Sequence, residues 1–221
     1  MAAPVRIRRP KKPQGHRTFT PAVSPADDLD DEKTLRALIY QGSDFAGRSV
    51  YGCDVEESRL EAVRLGDVEL DQVIISDTVL ERSDLANARC RGVSLLQVLL
   101  DACRLTGSSW SDGLFRDVTL TDCRADLTRF RQGKLRSVAF TDCNLRGADF
   151  QWAEFSHVEF TRCDLSAAQF ANARMSGVMF TDCTLDGVGG VTGLRGATVQ
   201  ARDLIGLAPS LAHELGIGIE D

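Results

Sequence analysis

From Phe45 to Leu185 nearly every residue whose number is divisible by five is large and apolar, as in Phe45, Val50, Leu65, Leu80, Phe140 and Phe160; Cys90 and Ala125 are the small exceptions. Two residues before each stands a small or β-branched side chain, as in Val138, Cys143, Ala148, Ala153, Val158 and Cys163. The unit of five therefore reads small, polar, large, polar, polar. Within a unit this is the alternation of a strand with one buried face. Five is odd, however, so a straight strand would turn the next unit's apolar pair toward water. A helix fails as well, because a step of five advances about 140° and would spread these side chains around the cylinder. A chain that bends at each polar pair satisfies the pattern, since every large residue then points to one axis.

Four walls close a turn of twenty residues, and twenty is the interval of Thr121-Asp122-Cys123, Thr141-Asp142-Cys143, Thr161-Arg162-Cys163 and Thr181-Asp182-Cys183. These triplets are expected one above another on successive coils. On one wall Cys103, Cys123, Cys143, Cys163 and Cys183 accompany Leu105, Leu145, Leu165 and Leu185, with Ala125 as the gap; on another, Val118, Val138, Val158 and Val178 accompany Leu120, Phe140, Phe160 and Phe180. At a strand spacing of about 4.8 Å, the units from Phe45 to Leu185 make a little over seven coils and a rod roughly 35 Å long. The Trp110 indole N–H is expected to find a nearby oxygen.

The units "ADFQW", "CDLSA", "CNLRG" and "SDLAN" resemble the consensus of the pentapeptide-repeat family, Ala or Asn followed by Asp/Leu-Leu/Phe and two variable residues. The resemblance covers about two thirds of the chain. It implies an all-β, right-handed quadrilateral β-helix, and "LRGATVQARDLIGLAPSLAHELGIGIE" is similar to the closing segment of many actinobacterial members. Most members lack an assigned activity. A subset mimics duplex DNA, binds DNA gyrase and protects it from quinolones, with a C-terminal helix joining two rods, so gyrase and a homodimer are the partners the resemblance implies.

The ends read differently from the coils. "RIRRPKKPQGHR" carries six basic side chains and no acid, and "DDLDDE" reverses the sign, which suggests a flexible arm over residues 1–30. Asp30 or Asp31 is expected to cap a short helix carrying Leu35, Leu38 and Ile39. The β-helix is assigned to residues 31–190. After Leu185 the register slips by one to Leu194 and Val199 around "DGVGG", and residues 191–221 form a capping segment. There Leu204, Leu207, Leu211 and Leu215 recur at helical spacing, Pro209 is expected to start a second short helix, and the same leucines are the candidate dimer contact.

Composition adds bounds rather than an identity. The 221 residues are 43% hydrophobic and 26% charged, with a formal net charge of -6, in keeping with a single soluble domain and a cytoplasmic location. No apolar run is long enough to span a bilayer and no secretory leader is evident, so no membrane partner is expected. Seven cysteines, an odd number, favour reduced thiols, and a ladder of sulfurs does not converge on a point as zinc requires, so no metal or cofactor is expected. His16, His157 and His213 gather no catalytic constellation, and Ser156 beside His157 points to a different side, so the chain is read as non-enzymatic.

Charge is the remaining lead. Residues 51–85 hold ten acids against Arg59, Arg64 and Arg82, a net of -7 over about 8 Å of rod, which reaches the density of duplex DNA. Glu61, Glu81 and Asp101 share one column, and Glu57, Asp77 and Asp117 another, making an acidic wall for a protein partner. The competing reading is a solubilising face of an interaction scaffold, because residues 104–136 reverse the sign with Arg104, Arg116, Arg124, Arg129, Arg131, Lys134 and Arg136. Direct nucleic-acid binding is expected only of the basic arm, whose plainer reading is a solvated tail that folds back on the acidic coils.

Overall fold

Residues 7–14 and 18–220 are described by the computed structural model. The chain forms a four-walled parallel β-helix of about nine turns closed by one C-terminal helix. Residues twenty apart are neighbours throughout: Val55 faces Ile75, and Leu120, Phe140, Phe160 and Phe180 follow one another up a single wall. The triplet cysteines are thereby stacked, as the interval of twenty requires.

The bend between walls has one cause. Every fifth residue from Glu32 to Gly187 has a positive φ, between 46° and 71°. Twenty-four of these residues are not glycine, and none of them is β-branched. A left-handed residue costs about 1 kcal/mol in an L-amino acid. Most corners offset that cost by donating their N–H across to the next coil, as Ala62 N does to Glu81 O (2.9 Å) and Asp122 N to Thr141 O (3.0 Å). The polar pair read from the sequence is thus a turn whose second residue is left-handed, and the odd repeat ceases to be a contradiction.

Inside the walls the large residues stack like on like. Phe130, Phe150 and Phe170 lie parallel with centroids 5.0 and 5.1 Å apart, and Phe140, Phe160 and Phe180 at 4.9 Å each. The two stacks meet edge to face, Phe140 on Phe150 at 6.4 Å, a favourable quadrupole arrangement. Trp110 is buried and its Nε1–H donates to Ser108 Oγ at 2.9 Å, the expected oxygen. All seven cysteines are free and buried. The thiols act as donors: Cys123 Sγ–H lies 3.5 Å from Leu100 O and 3.3 Å from Thr121 O, and the same pair of contacts repeats at Cys103, Cys143, Cys163 and Cys183.

The N-terminal end differs from expectation. Residues 34–39 are not a helix: Thr34–Arg36 and Leu38–Gln41 are strands, and Leu35 and Tyr40 point to the axis as members of the same period of five. The rod consequently begins before Phe45, and nine turns replace seven. Its first edge is covered by Thr20–Pro21, which pairs with Leu38–Ile39, while Ala22 N donates to Ile39 O at 3.0 Å and Tyr40 Oη to Asp27 O at 2.8 Å. An edge so covered does not recruit other strands.

At the far end the slip by one is present: Val178–Phe180 pairs with Ala197–Val199, nineteen residues on instead of twenty. Gly193 permits it, because a Cβ there would collide with the Phe170 carbonyl. The Asp203 carboxylate, buried, accepts the N–H of Cys183 at 2.9 Å and so substitutes for the missing next coil. A single helix, Leu204–Glu214, follows, with Pro209 inside it rather than starting a second one. Leu207 is buried and Leu211 packs against the core, whereas Leu204 and Leu215 are exposed.

The corner argument predicts opposite outcomes at one site. Asp122, left-handed at φ 52°, should tolerate Asp122→Gly with no loss of stability, whereas Asp122→Val should cost about 1–2 kcal/mol, read as a shift in denaturant midpoint. Equal effects of the two substitutions would contradict it.

Candidate protein-binding wall

Stacking converts sequence intervals of twenty into columns with an axial rise of about 4.8 Å per coil. Glu61, Glu81 and Asp101 are successive Cα partners on the strands Arg59–Glu61, Val79–Glu81 and Leu99–Asp101. Glu57, Asp77 and Asp117 occupy the left-handed corner that leads into that wall, at φ 47°, 46° and 57°. The two carboxylate columns therefore flank one wall, the second at its edge rather than on its face.

Arginines interleave with these acids. Arg36 reaches Glu57 at 2.6 Å, and Arg59 sits between coils with Nε 2.6 Å from Glu61 and NH2 2.8 Å from Glu81. Only the second of the Arg59 contacts is a well-aligned hydrogen bond; the Nε contact is an ion pair without hydrogen-bond geometry. A hydrogen bond from Gln41 (3.0 Å) and the charge of Arg59 hold the Glu61 carboxyl below its ordinary range. The same rule of twenty pairs Arg64 with Asp44, Arg89 with Glu69, Arg91 with Asp71 and Arg162 with Asp142.

The corner column holds more than acids. Asp117 is buried, 8% exposed, and residues 7–14 lie against it. Lys11 N donates to Asp117 Oδ1 at 3.2 Å and Gln14 N to Asp77 Oδ1 at 3.4 Å. Between those two acids stands Gln97, whose Nε2–H donates to Lys12 O at 2.9 Å. Gln97 went unnoticed in the sequence because it is uncharged, although its distance of twenty from both Asp77 and Asp117 places it in their ladder. The six acidic residues fall in two neighbouring columns, and the basic segment reaches two of them, Asp77 and Asp117.

Other chemistry is sparse. Burial pushes the Cys53 thiol up to about 11 and Cys90 higher still, and these thiols are protonated at neutral pH. His157 occupies a left-handed corner at φ 56°, and its Nδ1 is buried with no hydrogen-bond partner among the described residues. His213 lies in the terminal helix, and His16 falls outside the described residues. Among the described residues no group of three or more His, Cys, Asp or Glu is placed to hold a metal ion, and no helix is long and apolar enough to cross a membrane.

A family model of the pentapeptide repeat region matches residues 93–170, and one for eight copies of the pentapeptide repeat matches 159–188. Residues 93–188 are pentapeptide repeats. No curated protein sequence matches the chain. Among solved structures, this chain is similar to QnrB1, described as a plasmid-mediated fluoroquinolone resistance protein, at 18% identity over 87% of this chain and 99% of that one, with a TM-score of 0.37. It is also similar to Rfr23 from the cyanobacterium Cyanothece (17% identity, 52% and 90% covered, TM-score 0.43). HetL from the cyanobacterium Nostoc, described as involved in heterocyst differentiation regulation, is 15% identical over 78% of this chain and 88% of its own, with a TM-score of 0.36. These are likenesses of repeat architecture alone.

The interleaved arginine has a measurable consequence. Arg59→Met leaves Glu61 and Glu81 stacked with less compensation, so stability should fall by about 1 kcal/mol at low ionic strength and recover in about 0.5 M salt. A loss independent of salt would assign Arg59 a packing role instead.

Proposed function

We propose that this protein is a non-catalytic binding rod whose acidic wall, formed by Glu57, Glu61, Asp77, Glu81, Asp101 and Asp117, receives a basic protein surface. The observation that supports it best is the seating of a basic segment on that wall, with backbone N–H groups on Asp77 and Asp117. One carboxylate column rises a coil at a time through Glu61, Glu81 and Asp101, the other is interrupted by Gln97, and residues 51–85 reach the charge density of a duplex. DNA gyrase is therefore the first partner to test, in keeping with the resemblance to DNA-mimicking members of the family. The reversal of sign over Arg104–Arg136 confines the duplex-like field to part of the rod and favours the alternative, an interaction scaffold for another protein.

The test is gyrase supercoiling with and without a fluoroquinolone. The intact protein is expected to inhibit supercoiling or to protect the enzyme. The combined reversal Glu57→Lys, Glu61→Lys, Asp77→Lys, Glu81→Lys is expected to abolish the effect. An intact protein with neither activity ends the gyrase reading, and an effect untouched by the reversals removes the acidic wall from it.

We further infer that the terminal helix joins two rods. Leu204, Ile205 and Leu215 are exposed there, Ile205 at 78%, beyond the face that Leu207 and Leu211 pack on the last coil. The intact chain should sediment as a dimer and Ile205→Glu with Leu215→Glu as a monomer; a monomeric intact chain removes the inference.

A further inference from the structure

Residues 7–14, Ile-Arg-Arg-Pro-Lys-Lys-Pro-Gln, belong to no helix or strand. They run opposite to the direction of coil growth, so that Lys11 meets Asp117, Lys12 meets Gln97, and Gln14 meets Asp77. Asp77 and Asp117 are two coils apart, about 9.6 Å along the axis. The donors that reach them are three residues apart, and three residues of polyproline II helix rise about 9.3 Å. One turn of that helix therefore matches two coils of this one.

Three further features agree with that geometry. Ile7, Pro10 and Pro13 are half-buried while Arg8, Arg9, Lys11, Lys12 and Gln14 are exposed, a period of three that belongs to polyproline II and not to a strand. Pro10 and Pro13 fix φ near the required value and lack an N–H. The donors used are those of Lys11 and Gln14, the residues directly after each proline. Arg8 and Lys11 line one crevice with Asp77, Leu96, Gln97 and Asp117, and Arg116 lines it too. The contacts read backbone and spacing. Positive side chains add attraction to the flanking acids without being individually gripped.

We propose that the corner column Asp77–Gln97–Asp117 is a recognition site for basic, proline-spaced segments in polyproline II conformation, occupied in cis by residues 7–14. Such a segment on a partner protein binds by displacing the arm. The site shares two carboxylates with the wall described under the proposed function, but it rests on the seating of residues 7–14 and holds whether or not the partner is gyrase. A tethered occupant competes at an effective concentration in the millimolar range, which is enough to weaken binding in trans of a micromolar ligand by about tenfold or more.

The test uses the full-length chain and a fluorescein-labelled peptide of sequence RIRRPKKPQ, followed by polarisation. Pro10→Gly with Pro13→Gly loosens the arm without touching a coil, and the probe should bind this variant about tenfold tighter than it binds the unaltered chain. Gln97→Glu, added to the loosened arm, separates registry from bulk charge. It replaces the donor facing a peptide carbonyl by an acceptor while making the wall more acidic, so the probe should bind more weakly if the column reads the backbone. A peptide of the same composition with its two prolines adjacent should also bind more weakly. Tighter binding to Gln97→Glu, equal binding of the rearranged peptide, no binding to the loosened-arm variant, or equal binding to it and the unaltered chain would each overturn the proposal. None of these measurements involves gyrase, so their failure is distinguishable from failure of the supercoiling assay.

Discussion

Everything in this molecule depends on a left-handed residue at each corner. A flat parallel sheet would need an even repeat to keep one face apolar; a repeat of five is admissible only if the chain turns between units. Positive φ at every fifth residue supplies the turn, and the N–H it frees points along the axis to the next coil's carbonyl. Because that bond joins residue i to i+19, each corner is stable only once the following coil is present. Cooperativity is therefore between neighbouring coils, as expected of a quasi-one-dimensional stack. It also explains why both ends need substitutes for a missing neighbour, Thr20–Ala22 at the start and the Asp203 carboxylate at the finish.

The stacking rule carries over from the core to the surface. Side chains twenty apart in sequence become side-by-side neighbours, so the composition of one column is in effect a short sequence written along the axis. Where a column alternates in sign, as Asp44, Arg64, Asp84 and Arg104 do, ion pairs run from coil to coil. Where it does not, as with Glu61, Glu81 and Asp101, the charge persists and one arginine from the neighbouring column, Arg59, is shared between two carboxylates. Exposed pairs of this kind add little to stability. Their larger effect is on the field outside the rod, which is strongest where columns of one sign stay intact.

The coils were legible from sequence because the period is long and nearly unbroken, and the slip after Leu185 was legible because a break in register is itself periodic information. The first coil was not. Leu35, Leu38 and Ile39 satisfy a helical spacing of three and four as well as a solenoid reading in which Leu35 and Tyr40 are the large residues; what decided between them was the availability of Val55 and Leu60 one coil above. Pro209 misled for a related reason. A proline marks a preferred first turn, yet within Leu204–Glu214 the helix tolerates it in the interior. The interval of twenty aligns the six acids in two columns, but Glu57, Asp77 and Asp117 lie at the corner and not on the wall, and Gln97 carries no signal because its role is to donate to a backbone carbonyl and charge counting is blind to that.

That the basic arm folds back on the acidic coils is readable from charge, but its registry is not, because it depends on a coincidence of two lengths. Nothing in "RRPKKPQ" or in the repeats announces that a polyproline II turn equals two coil rises; the match emerges only when both helices have dimensions. A solenoid is well suited to such recognition. Its corners repeat at a fixed rise, set by backbone hydrogen bonds rather than by side-chain identity, so a change of residue at one corner alters the chemistry of a contact without altering its position. Specificity can then be written by choosing acceptor, donor, acceptor at three successive corners, as Asp77, Gln97 and Asp117 do. The same column continues to Ser137 and His157, which offer neither a carboxylate nor the Gln97 type of amide donor, and the corner chemistry that meets the arm ends with Asp117.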